Sequence, residues 1–310
     1  MQDQAGAAVV DVQGGVRWTA AIGGSDSLMG ATPDRLLVYD LSNNVYEVTA
    51  SGRRQVGSLG GRPQHAVASP DGSRWAWSTL DSSNDTPAVT TLHVGGVGLA
   101  PKVILSNSET RLFLEPWSWT AAGIWVEHNV SGLGGRYAFA FPTGPVDLVD
   151  PETGRTTRLA VPDGCYVEAR AQDGTLACLN RPAAAFSQFN SVTIVRSGSQ
   201  PLTVQLPKPD YNSVGNLVFS ADAAQLLVGA DNFDGTLDHY RTGAVDTRTG
   251  ALTTLVDGYS PALGHGQSLL PDGSLLLART LQEPGIWIQS PSGSITRLYA
   301  SGYPAALVSG

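Results

Sequence analysis

Two histidines and one glutamate are the residues of this chain best suited to acid–base chemistry. His65 and His265 each lie a few residues before a recurring turn sequence, and Glu115 lies at a similar place in another copy. Histidine changes charge near neutral pH, and a carboxylate beside it can take part in proton transfer. With Tyr166 and Asn216 at similar positions, these side chains could bind a metal or act as acid and base. No motif ties them to a nucleophile, so the main prediction is no catalytic residue and no cofactor.

The acidic segment 231–238 is a possible calcium site. Asp231, Asp234 and Asp238 offer carboxylate oxygens, which calcium prefers as ligands. If Gly235 is placed at the sixth position of an EF-hand loop, the first position is Ala230, which has no side-chain oxygen. The main prediction is therefore a solvated turn without metal, and calcium is kept as the alternative.

The two cysteines, Cys165 and Cys178, flank a single turn. In an antiparallel hairpin their side chains lie within about one rung of each other. A disulfide would indicate an oxidising compartment, whereas the alternative is a pair of buried thiols. The disulfide is the main prediction, and an extracytoplasmic location follows from it, with the export signal absent from this chain.

These residues are carried by a turn that returns along the chain. The copies are Ser69-Pro70-Asp71-Gly72, Ala171-Gln172-Asp173-Gly174, Ser220-Ala221-Asp222-Ala223 and Leu270-Pro271-Asp272-Gly273, with degenerate copies beginning at Thr32 and Thr120. Pro sets φ for a type I turn, Asp tolerates the next position, and Gly accepts the exit geometry. The runs on either side, such as Arg74-Trp75-Ala76-Trp77-Ser78, alternate as strands do.

A second hairpin follows in most copies, for example 146–150 and 156–159 around Pro151-Glu152-Thr153-Gly154. Each repeat then holds four antiparallel strands, A to D, which is the composition of one propeller blade. The spacing of about fifty residues and the Ser-Pro-Asp-Gly turn resemble the TolB-type, WD40-like propeller repeats over most of the chain. The resemblance implies an all-β propeller and little about function, because such propellers serve unrelated roles. TolB itself has an α/β domain before its propeller, to which nothing here corresponds.

The two ends of the chain are predicted to close the ring together. Residues 7–21 match C and D strands, and residues 303–310 match an A strand that stops at its turn. Six whole repeats and this composite blade predict seven blades in a single domain spanning residues 1–310, and six blades are the alternative because the composite lacks a B strand.

Composition limits the possible partners. The net charge is −8, with 19 Lys and Arg against 27 Asp and Glu, so a nucleic-acid partner is not expected. No apolar run is long enough to span a membrane as a helix. A monomer is predicted.

The loops between the B and C strands are long in repeats two to five: 81–88, 127–144, 181–191 and 231–242. Aromatic and arginine side chains, which are enriched in recognition surfaces, are concentrated there. The predicted binding residues are Arg136, Tyr137, Phe186, Phe189, Phe233, His239, Tyr240 and Arg241.

Loop asymmetry and the absence of a catalytic motif lead to the main functional prediction, a non-catalytic propeller that binds a protein, peptide or glycan. The alternative is a propeller hydrolase or lyase that works at the mouth of the central channel with His65, Glu115 and His265.

Overall fold

The chain folds as a β-propeller. The computed structural model describes residues 4–11, 15–81, 89–108, 112–130, 145–171, 173–180, 191–206, 213–233, 238–259, 265–270, 272–279 and 285–299. Every regular element within these ranges is a β-strand, and none of them contains a helix that could cross a membrane.

Six sheets of four antiparallel strands form the blades, each built from four consecutive strands. Blade 1 contains β3 (Ser27–Thr32), β4 (Arg35–Tyr39), β5 (Asn44–Thr49) and β6 (Gly52–Ser58). Blade 2 contains β7 (Pro63–Ala68), β8 (Arg74–Asp81), β9 (Val89–Gly96) and β10 (Leu99–Asn107). Blade 3 contains β11 (Leu112–Thr120), β12 (Gly123–Val130), β13 (Val146–Val149) and β14 (Thr156–Arg158).

The second half of the chain repeats this plan. Blade 4 contains β15 (Cys165–Arg170), β16 (Leu176–Asn180), β17 (Ser191–Val195) and β18 (Leu202–Gln205). Blade 5 contains β19 (Ser213–Phe219), β20 (Gln225–Phe233), β21 (Asp238–Asp246) and β22 (Leu252–Tyr259). Blade 6 contains β23 (His265–Leu269), β24 (Leu275–Arg279), β25 (Gly285–Gln289) and β26 (Ile295–Tyr299).

The number of four-stranded blades is six, which is the alternative to the predicted seven. The N-terminal segment forms a two-stranded antiparallel sheet, β1 (Gln4–Val10) with β2 (Val16–Gly23), and β2 contacts β5 and β6 of blade 1. The indole Nε1 of Trp18 donates to the Pro33 carbonyl at 3.0 Å, which ties this sheet to blade 1. Residues 303–310 lie outside the described ranges, so the composite closing blade stays a prediction.

The recurring turns connect the first two strands of each blade, as predicted. The Gly72 amide donates to the Ser69 carbonyl at 2.8 Å, and the Ser69 hydroxyl donates to the Asp71 carboxylate at 2.6 Å. Gly72 has φ 63°, and in the copy that begins at Ser220 the residue Ala223 has φ 57° in the same left-handed region. The turn chemistry of these copies therefore fixes where their hairpins reverse.

The first strand of each blade, its inner strand, carries an irregularity where it pairs with the second. All six of these pairs shift register once, whereas the pairs between second and third strands do not. Such β-bulges leave a residue without a partner in the ladder and redirect its side chain. The residues at the shifts are Met29, Gln64, His65, Trp117, Glu168, Asn216, Leu217 and Gln267.

The hydrophobic core lies between the blades rather than within a single layer. Five clusters fill the five successive spaces between blades 1 and 6, with Trp75 and Trp77 the largest side chains between blades 1 and 2. The cluster between blades 3 and 4 includes Trp125, Val167 and Cys178. Sheets packed face to face in this way hold their inner strands side by side, as the contacts of β3 with β7 and of β7 with β11 show.

The structure contains the predicted disulfide between Cys165 and Cys178. Their Cα atoms are 5.1 Å apart. Cys165 lies opposite Asn180 and Cys178 lies opposite Val167, so the two positions are diagonal across β15 and β16. The bridge therefore joins the two strands directly before the bulge at Glu168.

Candidate functional site

The structure brings two of the predicted acid–base residues together. His65 of blade 2 and Glu115 of blade 3 lie on adjacent inner strands, and the Nδ1 atom of His65 is 3.0 Å from Oε1 of Glu115. Because a carboxylate can only accept, this contact places the proton of a neutral imidazole on Nδ1 and leaves the lone pair on Nε2. The His65 side chain is 56% exposed, so the ring is oriented and open to solvent.

A second glutamate lies directly opposite Glu115. Glu115 of β11 pairs with Glu127 of β12 across the hairpin, and side chains so opposed have Cβ atoms about 5 Å apart. Only 8% of the surface of Glu127 is exposed to solvent. Burial, and then the charge of Glu115, raise the pKa of Glu127 to about 8. Glu127 is therefore protonated at neutral pH and can donate a hydrogen bond.

A third glutamate reaches the same place from blade 4. Glu168 is the extra residue at the bulge of β15, between Val167 and Ala169. Burial, and then the charge of Glu127, raise the pKa of Glu168 to about 9. We call His65, Glu115, Glu127 and Glu168 the channel cluster.

The channel cluster lies beside an aromatic wall between blades 3 and 4. Trp117 and Trp125 meet edge to face with ring centroids 6.3 Å apart, and both pack in the apolar cluster of this space. The guanidinium of Arg170 stacks over the Trp125 ring at 4.5 Å from its centroid. Among the described residues, Arg170 forms no ion pair with Glu127 or Glu168, and only burial and neighbouring glutamates shift the pKa values of these two groups.

Blade 3 carries a second polar group on its opposite face, towards blade 2. His128 Nε2 is 2.9 Å from Asp147 Oδ2, and Arg158 donates to both oxygens of the same carboxylate. Burial acts to raise the pKa of Asp147, but the bonds and charges of Arg158 and His128 outweigh it and lower that pKa. This group joins β12, β13 and β14 and does not touch the channel cluster.

Replacing Asp147 with alanine should lower the free energy of unfolding by about 2 to 3 kcal/mol, since His128 and Arg158 each lose a charged hydrogen-bond partner. The Asp147 pKa is lower in the folded protein, so this stabilisation is present at neutral pH and is lost as the pH falls below 3.8. Urea denaturation at neutral pH measures the loss. An Arg158→Gln variant should lose less, because the Arg158 side chain is 55% exposed, and an unchanged midpoint for Asp147→Ala would contradict this role.

The predicted binding residues do not gather in one loop. Arg136, Tyr137, Phe186 and Phe189 lie outside the described residues. Phe233 ends β20, while His239, Tyr240 and Arg241 belong to β21, so the predicted loop 231–242 is wrong for all but 234–237. The two strands simply continue their hydrogen-bonded ladder further than the polar sequence indicates. Arg241 pairs with Asp257 across the sheet at 2.7 Å, and a common binding surface stays a prediction.

Only some of the remaining candidate site residues lie within the described ranges. His265 is the first residue of β23, opposite Ala278. Asp231 and Asp238 lie on β20 and β21, and Asp234 lies outside the described residues. Within the described ranges, no three His, Cys, Asp or Glu side chains are arranged to hold a metal ion.

Sequence reasoning found His65 and Glu115 but missed Glu127 and Glu168. Glu127 was placed at the start of a loop, although it mirrors Glu115 about the turn that begins at Thr120. Two carboxyl groups opposed across a hairpin are unfavourable when both are charged, and this pairing was the available signal. Glu168 was missed because its position depends on a β-bulge, and the alternation of residues along the sequence does not reveal a bulge.

Comparison by sequence finds no relative. No protein-family model matches the chain, and no curated protein matches it.

Comparison by structure finds other propellers. The oligogalacturonate lyase of Vibrio parahaemolyticus superposes with a TM-score of 0.59 and 10% identity, over 84% of this chain and 76% of that one. The acylaminoacyl peptidase of Pyrococcus horikoshii gives a TM-score of 0.59 and 12% identity, over 93% of this chain and 46% of that one. The WD40 β-propeller domain of Doa1 gives a TM-score of 0.51 and 11% identity, over 90% of this chain and 83% of that one. These likenesses confirm the WD40-like propeller fold that the repeats predicted.

The prediction of a non-catalytic binding propeller is wrong. The propellers of oligogalacturonate lyase and acylaminoacyl peptidase belong to enzymes, and they favour the alternative of a propeller enzyme. The prediction relied on the absence of a linear motif, and such a motif says nothing about residues that separate blades bring together.

Proposed function

We propose that the protein is a lyase that acts at the mouth of the propeller channel, with His65 as its base. The observation that carries the proposal is an imidazole and a neutral carboxylic acid joined through one carboxylate, since His65 is held by Glu115 and Glu115 lies opposite protonated Glu127. A base and a neutral acid in one site are what removal of a proton next to a carboxylate or carbonyl group requires.

The roles follow from the positions. Nε2 of His65 takes the proton from the carbon next to the substrate's carboxylate, and the electron pair of the C–H bond moves towards the carboxylate oxygens. The O–H of Glu127 donates a hydrogen bond to the oxygen on which charge develops. As the carbon–carbon double bond forms, the bond to the oxygen on the next carbon breaks with its electron pair. The imidazolium of His65 returns its proton to that leaving oxygen, and Glu115 keeps the ring in place.

Two further observations support this assignment. Oligogalacturonate lyase, whose propeller resembles this one, is by its name a lyase for an acidic oligosaccharide, and a uronate sugar carries a carboxylate next to an acidic C–H bond. Trp117, which is only partly buried, gives the site an apolar side chain against which a sugar ring can pack. The disulfide between Cys165 and Cys178 supports our proposal of an extracytoplasmic location.

Hydrolysis is the second candidate, because Glu115 and Glu127 are opposed carboxyl groups and the pKa of Glu127 is raised to about 8 by burial and then by the charge of Glu115. The product distinguishes the two. Elimination gives an unsaturated sugar that absorbs ultraviolet light, whereas hydrolysis gives only a new reducing end.

The test is incubation of the purified protein with oligogalacturonate, followed by ultraviolet absorbance and a reducing-end assay. We expect unsaturated product, and we expect His65→Ala to lower kcat by roughly 100- to 10,000-fold, the usual contribution of a general base. His93→Gln is the matched control, because His93 stacks on Trp77 in blade 2 and lies outside the channel cluster. Equal activity in His65→Ala and His93→Gln would overturn the assignment of His65 as the base. New reducing ends without ultraviolet absorbance would show that the protein is a hydrolase and not a lyase.

A further inference from the structure

Glu168 has hydrogen-bonding capacity that the described protein does not use. Its Oε1 atom is buried and has no hydrogen-bond partner. A buried polar group without a partner is rare in proteins and requires an explanation. The bulge of β15 places this residue, because Glu168 is the extra residue between the pair Val167–Cys178 and the pair Ala169–Ala177.

Glu127 on the neighbouring blade is buried as well. It is more than nine-tenths buried, with 8% of its exposure left. Its neighbour across the hairpin, Val146, packs in the space between blades 3 and 4, so the Glu127 side chain also faces that space. Among the described residues it has neither an ion pair nor a hydrogen-bond donor, and its electrostatic neighbours are the other two glutamates.

We propose that Glu127 and Glu168 together hold the carboxylate of the substrate by donating two O–H hydrogen bonds, so that the enzyme selects acidic substrates without a lysine or arginine at this position. The proposal rests on the proposed function, because it assigns the carboxylate next to the C–H bond that His65 attacks. Glu168 is then a specificity-determining residue that the sequence analysis did not identify.

The charges around the two carboxyl groups fit an anionic ligand. Glu115 on β11 acts electrostatically on Glu127, His65 on β7 contacts Glu115, and Arg170 on β15 is held against Trp125. Two ionised glutamates beside Glu115 would repel a carboxylate, whereas two protonated ones donate to it. Their pKa values, raised to about 8 and about 9 by burial, keep the protons on at neutral pH. Hydrogen bonds from O–H groups to a carboxylate are short and stronger than neutral ones.

A cationic ligand would behave in the opposite way. An ammonium group requires both glutamates to lose their protons, so its binding would strengthen as the pH rises. The pH dependence of binding therefore decides between the two ligand classes.

The experiment measures binding by titration calorimetry with the intact protein. The probes are digalacturonate, its neutral counterpart digalactose and the N-trimethylated glucosamine dimer, whose positive charge does not change with pH, each titrated from about pH 6 to about pH 10. We expect digalacturonate to bind at least tenfold more tightly than digalactose at neutral pH and to lose about tenfold or more in affinity above about pH 9, as the two protons leave.

Two variants separate this role from a structural one. Glu168→Gln keeps an N–H donor that does not ionise, so it should bind digalacturonate at neutral pH and lose less affinity at alkaline pH. Glu168→Ala should bind digalacturonate roughly 10-fold or more weakly at neutral pH, because one charged hydrogen bond is gone. A thermal melt of each variant shows whether it is folded.

Several results would overturn the inference. They are equal binding of the acidic and neutral dimers, tighter binding of the N-trimethylated glucosamine dimer with rising pH, or a Glu168→Gln curve that follows the original protein. If unsaturated product forms but binding ignores Glu168, only this inference fails. If digalacturonate binds with the expected pH dependence but no product forms, the carboxylate site stands and the lyase proposal fails.

Discussion

Glutamine in place of Glu168 should make the protein more stable at alkaline pH, by roughly 3 to 6 kcal/mol near pH 10. The carboxyl group ionises near 4.5 in the unfolded chain and, because of burial and then the charge of Glu127, near 9 in the folded one. When folding raises the pKa of an acidic group, the folded protein has its full stability at pH values below the pKa of that group in the unfolded chain. That stability is lost as the pH rises towards the folded pKa. Glutamine has no proton to lose, so this loss disappears.

Urea denaturation of both proteins at about pH 5, 7 and 10 measures the effect. The free energies of unfolding of the two proteins should be similar at pH 5, and that of the original protein should become the smaller one as the pH rises. Glu152→Gln is the control, because the Glu152 side chain is 67% exposed and such surface ion pairs contribute about 0 to 1 kcal/mol. A free energy of unfolding that stays level from pH 5 to 10 in the original protein would show that Glu168 ionises normally.

Loss of the disulfide should have the second largest effect. The bridge closes a loop with a sequence separation of 13 residues, for which the chain-entropy account gives about 3 kcal/mol. Replacing both cysteines with alanine should lower the free energy of unfolding by about that amount, because the unfolded chain regains the freedom that the bridge removes.

The double alanine variant is compared with the oxidised and the reduced original protein, by urea denaturation at neutral pH. Reduction should reproduce the double variant, since both remove the same constraint. Cys178 is fully buried, so a Cys178→Ser variant adds the cost of a buried hydroxyl and should be the least stable of the set. If reduction left the unfolding midpoint in place, the bridge would contribute nothing to stability.

Most of the fold could be predicted from the sequence because hairpin turns have local chemistry. The Ser-Pro-Asp-Gly turn at Ser69 specifies its own backbone and side-chain bonds, and four strands per repeat follow from the alternating runs. The blade count was harder to predict, since β1 and β2 look like half a blade without showing what completes it.

The site was only half predictable. His65 and Glu115 stand out by residue type, and they meet in the structure. Glu127 and Glu168 depend on register, which is a property of two paired strands and not of either alone. The same limit explains the error at 231–242, where polar residues continue a ladder and the prediction gave a loop.

The bulges of the inner strands have a consequence for how such a protein can change. In five of the six blades the unpaired residue stands three positions before the first residue of the turn, as Trp117, Glu168 and Gln267 do. At three of these positions, Met29, Trp117 and Leu217, the side chain packs in a core between blades. Glu168 is not part of those cores. A substitution at Glu168 could therefore change a substrate preference while the turns and the cores between blades stay as they are.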